Sequence, residues 1–203
     1  MITVNYNDIA FLKSVNQINQ LPPDIGAEVA FGGRSNSGKS SALNKIAGIH
    51  RLARTSKTPG RTQLINFFQL SGDKRLVDLP GYGYAKVPEK VKLHWEKLLS
   101  KYIEVRESLK GIILLMDIRH PLKPLDLQMV EWTVSQALPT HILLTKADKL
   151  KRGAANQTLA TVQKALSEYE EFVTVQLFSS FNGMGIDEVK VKLNEWFQEE
   201  NKQ

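Results

Sequence analysis

The segment Gly33-Arg34-Ser35-Asn36-Ser37-Gly38-Lys39-Ser40 narrows the fold of this chain more than any other. Its spacing is Gly, four residues, then Gly-Lys-Ser. It lies between a short apolar run, Ala27 to Phe31, and a stretch of helical character, Lys39 to Ala47. A backbone that passes from strand to helix through glycines turns its N–H groups inward, where they and the helix N-terminus favour a phosphate. In that setting Lys39 reaches the β- and γ-phosphates, and the Ser40 hydroxyl ligates Mg²⁺.

The rest of the chain alternates in the way such a loop requires. Thr62 to Leu70 has strand content, and Ser71-Gly72-Asp73 reads as a hairpin turn into a strand from Arg75 to Asp78. That hairpin makes one strand antiparallel. From Pro88 to Arg106, Val91, Trp95, Leu98, Leu99 and Tyr102 recur at helical spacing. Ile112 to Met116 is a continuous apolar run, as expected of a strand buried on both faces of a parallel sheet. A helix over 124–137, a strand from Leu138 to Leu144, a helix near 154–167, a strand near 172–177 and a helix near 185–199 follow. The pattern predicts a three-layer α/β P-loop NTPase fold, with a mostly parallel six-stranded sheet containing one antiparallel strand. Residues 1–26, Asn/Gln-rich and ending in Leu21-Pro22-Pro23-Asp24, read as an N-terminal lead-in. Residues 27–203 read as a single domain.

Composition excludes several classes. With 203 residues, 42% of them hydrophobic, the chain suits one domain of ordinary size. The longest apolar runs are too short to cross a membrane, and the N-terminus lacks a secretory pattern. Cysteine is absent, so disulfides and thiolate metal sites are excluded. His50, His94, His120 and His141 are scattered without metal-ligand spacing, which argues against zinc. A cytoplasmic monomer without membrane insertion is expected. The net charge of +6 is unevenly placed: Arg34 to Arg75 holds nine basic residues and one acid, Asp73. Such a run suits phosphate or RNA.

Asp78-Leu79-Pro80-Gly81 closes the second candidate strand. An aspartate there binds Mg²⁺ through water, and the Gly81 N–H meets a γ-phosphate. Thr62, in the basic loop between the two motifs, is a candidate Mg²⁺ ligand that would order this loop only when a γ-phosphate is present. Thr145-Lys146-Ala147-Asp148 then follows a buried strand, at the sheet edge where ligands bind. An ionised carboxylate accepts only, so Asp148 matches the N1–H and N2 amine of guanine and would be left unpaired by adenine. The Lys146 stem would cover the ring, and the backbone of Ser179-Ser180 would donate to the guanine carbonyl. GTP and GDP are therefore the expected ligands.

With these stations placed, the chain resembles the EngB family of bacterial GTPases. The resemblance rests on the segment from Gly33 to Ser41, on Arg54 to Gln63 with its Thr-Pro-Gly-Arg-Thr-Gln, and on Asp78 to Ala85. It implies a G domain whose nucleotide contacts come from residues 33–40, from Gly60, Arg61, Thr62, Gln63 and Leu64, from residues 78–81 and 145–148, and from Phe178, Ser179 and Ser180. It places Mg²⁺ on Ser40 and Thr62. It also implies a role in assembling the large ribosomal subunit, with its rRNA and proteins as partners, and a requirement in cell division and septation. In related GTPases an Asn at the place of Asn36 helps to hold a potassium ion beside the phosphates, which makes K⁺ a second candidate ion.

Many regulatory GTPases carry a water-orienting glutamine directly after the Asp-x-x-Gly glycine. Here that residue is Tyr82, which has no amide, so slow intrinsic hydrolysis is expected and the catalytic group stays unassigned. Two other functions remain open on sequence alone: a small-molecule kinase, for which nothing after residue 100 supplies an arginine-bearing lid, and a septation-linked GTP-binding protein without direct RNA contact.

Overall fold

The computed structural model describes residues 4–53, 64–83 and 89–198, with 89–96 described by backbone alone. In chain order the elements are β1 (Ala10–Val15), β2 (Ala27–Gly33), α1 (Lys39–Ala47), β3 (Ile65–Gln69), β4 (Lys74–Asp78), α2 (Glu89–Val105), β5 (Leu109–Asp117), α3 (Pro124–Ser135), β6 (Thr140–Thr145), α4 (Arg152–Ala165), β7 (Val173–Leu177) and α5 (Ile186–Gln198). The strands form one sheet in the order β1-β3-β4-β2-β5-β6-β7. β3 pairs antiparallel with both β1 and β4, and the remaining neighbours pair in parallel. The hairpin through Gly72 therefore makes β3 the one strand that runs against the others.

The sheet has seven strands where six were expected. The additional strand is β1, inside the segment read as a lead-in; it pairs with β3 at the sheet edge and leaves Ala10, Phe11 and Leu12 exposed. A register shift between Phe11 and Lys13 interrupts the alternation of faces, so the two-residue period that identifies a half-buried strand is broken in the sequence.

Helices cover both faces. Leu98, Leu99 and Tyr102 of α2, Met129 and Val130 of α3, and Val162 of α4 share one core with Ile112, Leu114 and Met116 of β5. Leu43 and Ile46 of α1, with Leu193 and Trp196 of α5, share the other with Ile113 and Leu115. Successive residues of β5 thus face opposite cores, which is why its sequence is an unbroken apolar run. Gly111 lets α5 close on the sheet, since a Cβ there would lie 2.8 Å from the Trp196 indole.

At the amino ends of the parallel strands, buried Glu28 ties three elements together. It accepts from Arg75 Nη1 at 2.9 Å, from Arg106 Nε at 2.9 Å and Nη2 at 2.6 Å, and from the Tyr102 hydroxyl at 2.9 Å. The opposite edge of the sheet is where β2, β4, β5 and β6 end, at Gly33, Asp78, Asp117 and Thr145. After β2 the chain crosses by α1 over one face, and after β4 by α2 over the other. This is the reversal of winding that opens a crevice at the carboxyl ends of the strands.

Candidate functional site

β2 ends at Gly33 and α1 starts at Lys39, so residues 34–38 make the turn between them. Gly38 caps α1 in the left-handed conformation, φ 96°, and no side chain caps the first turn. The N–H groups of that turn point off the helix end, the arrangement that receives phosphate oxygens. Asn36 is exposed and also left-handed, φ 65°, a conformation that asparagine tolerates. The Ser37 N–H closes the loop by donating to the Arg34 carbonyl at 3.0 Å.

The segment that follows β4 lies on this loop. Leu79 N–H donates to Phe31 O at 3.0 Å, Ser35 N–H to Tyr82 O at 2.9 Å, and Tyr82 N–H to Gly33 O at 3.3 Å. The Lys39 ammonium forms an ion pair with Asp78, both side chains being largely buried. Among the described residues no group of three or more His, Cys, Asp or Glu is placed to hold a metal. A Mg²⁺ ion that takes phosphate oxygens and waters needs only one or two hard oxygen ligands from protein. The Ser40 hydroxyl at the start of α1, with the Asp78 carboxylate beside its neighbour Lys39, fits that requirement. Gly60, Arg61, Thr62 and Gln63 lie outside the described residues; Leu64 is half-buried at the entry to β3.

The loop after β6 is joined to the same place. Thr145 is buried, and its hydroxyl lies 2.6 Å from Ser37 O and 3.1 Å from Met116 O. Lys146, left-handed at φ 60°, donates from Nζ to Asn36 O at 2.8 Å and to Asp117 Oδ2 at 2.8 Å. A non-glycine residue held in this conformation by such contacts is the kind of local strain that clusters at binding sites. Arg119 holds Asp117 from the other side, Nε to Oδ1 at 2.9 Å and Nη2 to Oδ2 at 2.6 Å. Burial alone would raise the Asp117 carboxyl, but the hydrogen bonds from Arg119 and Lys146 outweigh it and hold the group well below the usual carboxylate range.

Asp148 is oriented from the loop after β7. The Ser179 hydroxyl donates to Asp148 Oδ1 at 2.6 Å and accepts the N–H groups of Phe181 at 3.2 Å and Asn182 at 3.4 Å. With two donors directed at its oxygen, the hydroxyl proton is left for the carboxylate. This bond, with Lys149 Nζ 3.1 Å from Oδ2, holds Asp148 below its ordinary pKa. Phe178 links the loops by its backbone, donating to Leu144 O at 3.0 Å and accepting from Ala147 N–H at 3.1 Å. Ser180 is half-buried beside it. Clefts of about 630 Å³ and 570 Å³ flank this end, the first beside Asp148 and Lys149, the second beside Ser41 and Ser180, with Phe181 lining both.

Four of the five sequence-derived groups, residues 33–40, 78–81, 145–148 and 178–180, therefore meet at one sheet edge. Two carboxylates of this arrangement were not read from the sequence. Asp117 clamps Lys146, and its only signal was that it ended the apolar run of a strand neighbouring the Thr145 strand, where the two residues are register partners. Asp126 receives the hydroxyl of Tyr82 at 2.9 Å and had no local signal at all.

A family model described as "50S ribosome-binding GTPase" matches residues 28–146. The chain is 58% identical over 195 residues to "Probable GTP-binding protein EngB" of Coxiella burnetii (strain CbuG_Q212), covering 96% of this chain and 95% of that protein. A protein of the same name from Nitrosococcus oceani is 58% identical over 191 residues, covering 94% and 96% respectively. Among solved structures, "Crystal structure of a probable GTP-binding protein engB" superposes with a TM-score of 0.69 at 22% identity. That match covers 86% of this chain and 100% of the other, and supports the fold.

Proposed function

The chain belongs to the EngB family of GTP-binding proteins and is a GTPase, and we propose that it acts as a slowly hydrolysing GTP switch in assembly of the large ribosomal subunit. The observation that carries this reading is the joining of the phosphate end to the base end: Lys39 pairs with Asp78, while Thr145 and Lys146 hold the carbonyls of Ser37 and Asn36. A ligand that satisfies both ends has phosphates at one side and paired donors at the other, as GTP and GDP do. Mg²⁺ would be held by Ser40, by Thr62, and by Asp78 through water, and it neutralises charge on the β- and γ-phosphates. K⁺ beside Asn36 is a second ion in this reading.

The large subunit as partner is supported by the description of the matching family model and by the basic run from Arg34 to Arg75, which suits an RNA backbone. The proposed role includes cell division and septation, in a cytoplasmic monomer. We take residues 27–203 as one G domain, with 1–26 adding an edge strand to its sheet. Pull-down of ribosomal particles with GDP and with a non-hydrolysable GTP analogue tests the proposal, using Lys39→Ala as the control. Large-subunit particles should be retained with the analogue, less with GDP, and should be released by salt. Failure to retain them in either state would overturn the ribosomal role and favour a septation partner without RNA contact.

A further inference from the structure

Tyr82 occupies the position at which many regulatory GTPases carry a water-orienting glutamine, and its side chain turns the other way. The ring is 7% exposed and belongs to the core beneath α2 and α3. Its hydroxyl donates to Asp126 Oδ1 at 2.9 Å, and Asp126 is 1% exposed. The other carboxylate oxygen of Asp126 accepts the Lys123 N–H at 3.1 Å, in the capping box that starts α3. Asp126 is therefore fixed to α3. Burial pushes the Tyr82 hydroxyl well above the ordinary tyrosine value, so it remains a donor. The backbone of Tyr82 is meanwhile paired with Gly33 and Ser35 of the phosphate loop. One residue thus bridges the phosphate loop and α3.

We propose that Tyr82 and Asp126 are positioning residues for the γ-phosphate: their hydrogen bond holds the Asp78–Gly81 turn on the phosphate loop. The turn lies flat on that loop, since a Cβ on Gly81 would be 3.4 Å from Ser35 N and 3.6 Å from Gly33 O. Breaking the latch would leave a buried hydroxyl and a buried carboxylate without each other, which is strongly unfavourable, so the turn stays in place in both nucleotide states. The inference rests on the proposed contact of Gly81 with the γ-phosphate.

The test compares affinities for GDP and for a non-hydrolysable GTP analogue. Tyr82→Phe keeps the ring and removes the hydroxyl. It should leave GDP affinity within about twofold and weaken the analogue roughly five- to tenfold. Asp126→Ala added to Tyr82→Phe should cost less than about twofold more, because the bond is already absent. Asp126→Asn keeps an acceptor for Tyr82 and should hold most of the analogue affinity. Wild-type analogue affinity in Tyr82→Phe, or additive losses in the double variant, would overturn the latch. Gly81→Pro, which removes the N–H assigned to the γ-phosphate, separates the premise from the inference, with GDP affinity and thermal unfolding as the check that the fold is kept. Loss of analogue affinity there, with none in Tyr82→Phe, removes the latch alone. No loss in Gly81→Pro removes the γ-phosphate assignment itself.

Discussion

Replacing Ser179 with alanine should weaken GDP binding by about tenfold while leaving the phosphate end of the site intact. The fully buried hydroxyl makes three contacts: it donates to Asp148 and accepts from the N–H groups of Phe181 and Asn182. A hydrogen bond to an ionised group contributes about 1.5–3 kcal/mol. Asp148 is half-buried, so water recovers part of that, leaving about 1.4 kcal/mol, which is the tenfold. The same bond is the foremost cause of the lowered Asp148 pKa. Without it the carboxyl rises toward its ordinary value, so on the acid side the variant should lose GDP at a higher pH than the wild type does. Titration with a fluorescent GDP from about pH 3 to pH 8 reads both effects. Thermal unfolding checks that the fold is kept. A folded variant with GDP affinity within twofold of the wild type, and an unmoved acid limb, would refute the argument that Ser179 orients the base-reading carboxylate.

Glu28→Gln should destabilise the protein by about 3–5 kcal/mol, because Arg75 and Arg106 lose their shared buried counter-charge. For a domain of this size that lowers Tm by roughly 6–20 °C, and a fall of under about 2 °C would contradict it. Asp148→Asn exchanges an acceptor for a donor, so GDP affinity should fall about a hundredfold while a xanthine nucleotide, with a carbonyl in place of the amine, gains; unchanged preference for GDP in competition binding would sink the base assignment. In Asp24 and Asp117 burial works to raise the carboxyl, but hydrogen bonds to Ser108 and Glu107 in the first, and to Arg119 and Lys146 in the second, hold it down. Their stabilisation is present above the unfolded value near pH 4 and is lost as pH falls through the lowered folded value, so urea midpoints should drop below about pH 4, after a separate decline from about pH 6.5 as His141, held neutral by burial, gains a proton more readily in the unfolded chain. A midpoint that does not fall further below about pH 4 would contradict the carboxylate argument.

Most elements were legible because each carries its own local signal. The run Ile112 to Met116 identifies a strand buried on both faces, and the glycine spacing at 33–38 identifies a turn into a helix. β1 was not legible, since the register shift after Phe11 breaks its alternation and its pairing with β3 depends on residues 50 or more positions away. Asp148 could be read from the chemistry of guanine. Its partner could not, because a serine in a loop carries no sign of what its hydroxyl will meet.

What the sequence determined by itself is the set of local commitments: which segments curl, which runs are buried, and which side chains suit phosphate, Mg²⁺ and guanine. Only the tertiary structure decided which of them touch. Lys146 meets Asp117 across 29 positions, Asp148 meets Ser179 across 31, Tyr82 meets Asp126 across 44, and Thr145 meets Ser37 across 108. Periodicity encodes the face a residue turns to and nothing about its partner on that face. Partners are set by strand order and register, as where Asp117 stands opposite Thr145, and those follow from the packing of the whole sheet.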